Sequence, residues 1–84
     1  MGFFAKAGNY IEAKNKLKEL LYNSETIDEL RQNRQQFNIW VYNPDNLKEL
    51  SLEEKDKIIK DADTNFEQKI RAMGFENTIK DFFS

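Results

Sequence analysis

Apolar side chains fall at positions 3, 7, 10, 13, 17, 20 and 21 of the opening stretch FFAKAGNYIEAKNKLKELLYN, with lysines and glutamates between them. Steps of three and four residues are the period of an amphipathic helix, which turns one stripe toward a core and its charged side toward water. Gly8 and Asn9 interrupt this run of good helix formers. The spacing therefore predicts a helix over 9–23, with Asn9 as its cap and residues 2–7 as a separate apolar turn. Ile27, Leu30, Phe37 and Val41 repeat the pattern over 26–42, broken by Arg34, with RQNRQQ supplying a fully polar turn. Thr26 and Glu29 have the T-x-x-E spacing of a capping box, in which each side chain satisfies a backbone N–H that the first helical turn leaves open. The run FNIWVY is rich in aromatic and β-branched residues and alternates well enough to read as a strand. No second strand-like run offers it a partner, so the helix is taken on to Tyr42.

Asn43 before Pro44 is a cap followed by proline at the first helical position, which predicts a short helical turn over 44–50. Ser51 and Glu54 form a second capping box. From there Leu52, Ile59, Ala62, Phe66, Ile70 and Met73 hold one stripe, predicting a long helix over 52–73. Gly74 followed by Phe75 reads as a left-handed residue past the helix end, with an apolar side chain packing back on the final turn. NTIKDFFS then predicts a short helical piece over 77–83. The fold class expected is all-α: a compact three-helix antiparallel bundle with short additional helical turns, built from residues 1–84 as a single domain. The short connections favour up-down neighbours.

Composition narrows the chemistry. A chain of 84 residues without cysteine has no disulfide, thiolate zinc site or cysteine nucleophile. It also has no histidine, which removes Ser-His-Asp, Cys-His and imidazole–zinc chemistry. The expectation is a non-catalytic protein with no cofactor and no metal. The formal net charge of −2 gives no general field to draw nucleic acid or an anionic membrane. No apolar run approaches the length of a membrane span, MGFFAKAG turns polar too soon for a signal peptide, and Lys6 stands where a myristoylation motif carries Ser or Thr. A cytoplasmic home is expected. Ten lysines against three arginines suggest AT-rich coding, as in low-GC bacteria and their phages.

Several constellations are weighed against plainer readings. Asp61, Asp63, Asn65 and Glu67 of DADTNFE sit at alternate positions, a spacing that resembles the opening ligands of an EF-hand calcium loop. The likeness stops at Phe66, where the loop needs glycine, and at Ala72, where it needs a bidentate glutamate. A solvated helix face is the expectation. The pairs Asp28/Glu29 and Glu53/Glu54 lie in first helical turns, where capping and the helix dipole explain them. Lys14 and Lys18 share a face and, with Arg31 and Arg34, are the residues that a nucleic-acid-associated regulator would use. Trp40 and Tyr42 are candidates for anchoring a protein partner, although the favoured place for Trp40 is the core, as its largest residue.

The chain closes on ENTIKDFFS. Its Glu76, Ile79, Phe82 and Phe83 resemble the PCNA-interacting box of sliding-clamp ligands, usually Gln-x-x-aliphatic-x-x-aromatic-aromatic, with Glu76 in the glutamine's place. The resemblance implies a short helical turn that plugs Ile79 and both aromatics into a clamp pocket. The competing expectation pairs the two ends of the chain: Phe82 packs on the bundle near Phe3 and Phe4, while Phe83 remains at the edge. By elimination the function expected is a small cytosolic protein-binding regulator or inhibitor that covers a surface on a larger macromolecule. Immunity proteins, antitoxins, adaptors and phage inhibitors work in this way. The candidate contact residues are Trp40, Tyr42, Ile79, Phe82 and Phe83, and the alternative is the nucleic-acid regulator.

Overall fold

The capping box at Ser51 forms in full, and the one at Thr26 forms with its return bond shifted one residue back. The Thr26 hydroxyl accepts from the Glu29 N–H at 3.1 Å, and the Glu29 carboxylate reaches back to the Glu25 N–H at 3.4 Å. At the second box the Ser51 hydroxyl accepts from the Glu54 N–H at 3.2 Å while the Glu54 carboxylate accepts from the Ser51 N–H at 3.1 Å. These caps fix the starts of two of the three helices in the computed structural model, which describes residues 3–83. Met1, Gly2, Ser84 and the side chain of Phe3 lie outside the described residues, so the comments on Gly2 and on half of the Phe3/Phe4 pair fall there too. The helices are α1 (Phe3–Tyr22), α2 (Ile27–Tyr42) and α3 (Leu52–Phe83).

The protein is an all-α three-helix bundle, and side-chain bonds give its directions. Lys6 and Tyr10, early in α1, both meet Glu54 in the first turn of α3 at 3.2 and 2.9 Å. At the far end the Lys69 ammonium donates to the Leu21 carbonyl. Helices α1 and α3 are therefore parallel. On α2, Arg34 bonds Asp63 at 2.8 Å and Tyr42 bonds Asp56 at 2.5 Å, so numbering rises on one helix as it falls on the other. α2 runs antiparallel to both.

The core follows the stripe that the periods mark, except at Tyr10 and Leu52, which are exposed. Ala13 and Leu20 of α1, Leu30, Phe37 and Val41 of α2, and Ala62 and Phe66 of α3 are buried together. Phe37, Phe66, Leu30 and Val41 are fully enclosed, each gaining about 1.5–3 kcal/mol from leaving water. Leu47 and Leu50 close the bundle from the connection between α2 and α3.

Four boundaries differ from the sequence reading, and for the first two the reason is tertiary. α1 begins at Phe3 and passes through Gly8, so Asn9 does not cap it. Instead the Asn9 side-chain oxygen accepts from the Glu49 N–H at 2.9 Å and holds the α2–α3 connection against α1. That connection is not a helix over 44–50 but two reverse turns, closed by Asn46 N–H to Asn43 carbonyl and Leu50 N–H to Leu47 carbonyl. Leu47 takes a left-handed φ of 51° there. Such a backbone costs a leucine about 1–2 kcal/mol, offset by its buried side chain.

At Gly74 no left-handed residue ends the helix. α3 continues through it to Phe83, absorbing the separate piece expected over 77–83. At about 1.5 Å per residue, 32 residues reach about 48 Å, well past the end of α1. The molecule accordingly measures 57 × 19 × 19 Å, and its radius of gyration of 15.3 Å exceeds the roughly 12 Å of a compact chain this size. The bundle is compact only over the first two thirds of α3.

Candidate interaction surface

Helical phase decides what the extension of α3 can do. Nine residues at about 100° each put Phe75 half a turn from Phe66, which is buried in the core. Ile79, Phe82 and Phe83 follow Phe75 at four, seven and eight residues, on that same outer side. Phe75, Phe82 and Phe83 are 67%, 81% and 79% exposed. Ile79 is 39% exposed. The apolar stripe of α3 thus changes sides near Met73: up to there it faces the bundle, and beyond there it faces away. The two terminal rings meet edge to face with centroids 5.2 Å apart.

This overturns the expectation for the chain ends. Phe82 does not pack on the bundle, and both phenylalanines point outward. Because α1 and α3 are parallel, the start of α1 lies beside Glu54, about 40 Å of helix from Phe82. Phe4 and Phe82 are at opposite ends of the molecule.

A second apolar feature lies between the parallel helices. α2 fills the space on one side of α1 and α3, and the other side is an open groove of about 410 Å³. Leu17 and Leu21, Phe37 from α2, and Ile58 line its floor. Lys14 and Lys18 stand on its α1 rim and Asp61 on its α3 rim. Cavities of ~150 Å³ hold a benzene ring, so this groove has room for two aromatic side chains.

The other predicted residues are dispersed. Trp40 is half-buried, stacked on Phe37 at 6.2 Å with the Lys16 ammonium 6.0 Å above its ring. Tyr42 donates its hydroxyl to Asp56, and that bond raises its pKa above 10.0. Both rings are engaged by the bundle's own side chains. Arg34 is paired with Asp63 on the α2 side of α3, while Lys14 and Lys18 face the groove on the α1 side. Arg31 is exposed on α2. The four cations share no face. Asp61, Asp63, Asn65 and Glu67 lie inside α3, with Asn65 donating to the Asp61 carbonyl at 2.9 Å, so they form helix and not a calcium loop.

The most tightly held acid is structural. The Glu54 carboxyl is pulled down to about 2 from 4.5 by the Ser51 N–H, then by the Tyr10 hydroxyl and the Lys6 ammonium. It clamps α1 to the start of α3. Among the described residues no group of three or more His, Cys, Asp or Glu is placed to hold a metal ion, and no helix is long and apolar enough to cross a membrane.

Sequence reasoning had singled out Ile79, Phe82 and Phe83 but missed Phe75 and the groove. The i, i+4, i+7 spacing of 75, 79 and 82 was visible, yet reading Gly74 as a terminator assigned Phe75 to a cap. Comparison with protein-family models, with curated proteins and with solved structures finds no match to this chain.

Proposed function

We propose that the protein is a cytosolic protein-binding regulator or inhibitor that docks by laying the end of α3 against an apolar surface of another polypeptide. The observation that carries this reading is the stripe of Phe75, Ile79, Phe82 and Phe83 on the side of α3 away from the core. Three phenylalanines left mostly in water forgo up to about 1.5–3 kcal/mol each, and none of them belongs to the buried core of the bundle. Helix-in-groove recognition uses anchors at i, i+4 and i+7, the spacing of 75, 79 and 82. The test is capture of partners from host extract by tagged wild type and by Phe75→Ser/Phe82→Ser. Specific partners retained by the first and lost by the second support the reading; identical capture by both overturns it.

The clamp-ligand resemblance supplies a second reading of the same stripe, favoured by the exposure of both Phe82 and Phe83, which that mode of binding requires. Titration of the chain with a purified sliding clamp, with and without Phe82→Ala, decides it. The nucleic-acid reading has no comparable observation behind it, because Lys14, Lys18, Arg31 and Arg34 are not assembled into one stripe.

A further inference from the structure

We infer that the occupant of the α1/α3 groove is the α3 extension of a second copy of this chain, the two copies forming a reciprocal antiparallel dimer. The inference rests on the docking reading above and names the polypeptide that fits. The fit begins with phase. Viewed down α3, Asp61 on the groove rim and the stripe at 75, 79 and 82 lie on nearly the same side, because eighteen residues complete five turns from 61 to 79. One continuous face of α3 is therefore groove wall along the bundle and apolar stripe along the extension. Two such faces match when the helices run antiparallel.

Register follows from the contacts within one copy. Tyr10 is level with Glu54 and Leu21 with Lys69, so Lys18 stands near the level of residue 64. With a two-fold axis near Ile70, Phe75 of one copy meets the level of Asn65 in the other. Ile79 then meets Asp61, and Phe82 meets Ile58 on the groove floor. Glu76 arrives at the level of Lys18.

Charge selects the direction. In the extension, Arg71 and Glu76 flank the stripe on opposite sides, about 65–75° from its centre. The groove has cationic Lys14 and Lys18 on its α1 rim and anionic Asp61 on its α3 rim. An antiparallel guest places Glu76 beside Lys18. A parallel guest turns Glu76 to the Asp61 side and Arg71 to the lysines, where like charges meet. Neither Glu76 nor Lys18 belongs to an ion pair among the described residues. Area is sufficient: six phenylalanines across the two copies bury about 150–250 Å² each, on the order of 1,000 Å² before the groove walls are counted. Stable interfaces bury about 1,200–2,000 Å².

The test is light scattering of the purified full chain over a dilution series from hundreds of micromolar to micromolar. The expected mass at the upper end is twice the 10.0 kDa of one chain. Phe75→Ser/Phe82→Ser, with unchanged helical circular dichroism, should remain monomeric throughout. Lys18→Glu and Glu76→Lys should each weaken the dimer by roughly tenfold, since each reverses two symmetry-related pairs, and the double variant should recover most of that loss. A monomeric wild type overturns the proposal, as does a dimer that survives the serine substitutions or a double variant no tighter than the singles. A monomer that still captures another protein through Phe75 and Phe82 removes the second copy and leaves the docking reading standing.

Discussion

Phe66 sits at the middle of the core face of α3 with none of its surface exposed. Its replacement by alanine leaves a cavity that the packed helices fill only in part, so Phe66→Ala should cost about 3–5 kcal/mol in urea denaturation. A cost below about 1 kcal/mol would show the face open to solvent. Glu54 makes a different kind of contribution, one that depends on pH. Its carboxyl is held at about 2 in the folded chain against 4.5 ordinarily, so the folded state binds this proton less readily than the unfolded state. The stabilisation is complete above 4.5 and is lost as pH falls from there toward 2. The gap in urea midpoint between wild type and Glu54→Gln should therefore close across that window. A gap that stays constant with pH would mean that the contacts to Ser51, Tyr10 and Lys6 do not hold the charge. Ser51–Glu54 was legible as a capping box, whereas Lys6 and Tyr10, more than forty residues away in sequence, were not.

Among the elements, α3 carries the largest departure from the sequence reading, and the departure turns on one glycine. Gly74 followed by Phe75 has the composition of a helix stop, yet Gly74 is helical and a Cβ built on it meets nothing within 4 Å. Glycine in a helix interior is about 0.5–1 kcal/mol worse than alanine, so Gly74→Ala should stabilise α3 by about that amount and raise its helical signal. A left-handed residue 74 predicts the opposite sign, because alanine is strained there. The measured sign distinguishes a helix that continues from one that ends. The run FNIWVY illustrates the converse, since its β-propensity suits a strand but Phe37 and Val41 are helical core residues. Propensity yields to packing there because α1 and α3 bury that face and nothing in the chain pairs with a strand.

For the whole molecule, the parallel arrangement of α1 and α3 determines both the groove and the free extension. Phe82→Ala and Phe83→Ala, measured separately at concentrations too dilute for association, should each change unfolding free energy by less than about 0.5 kcal/mol. A loss of a few kcal/mol from either would place that ring on the bundle. The sequence by itself determined the all-α class, the number of main helices, both internal caps and the helical part of the core, though not Leu47 and Leu50. Those features depend on period and on neighbours three or four residues away, which a linear chain displays. It equally showed apolar side chains at 79, 82 and 83. Only the tertiary structure decided which way they face. A period records relative phase within a helix, but whether a stripe is core or surface depends on where the other helices lie: the start of α2 and the residues before it flank Met73, Glu76, Asn77 and Lys80, while the opposite side of α3, with Phe75, Phe82 and Phe83, stays exposed. The same holds for Asn9 and Gly74, whose local chemistry suits a helix end. Asn9 is drawn instead to the Glu49 N–H, and Gly74 is carried on by the hydrogen bonds of a helix already formed on both sides of it.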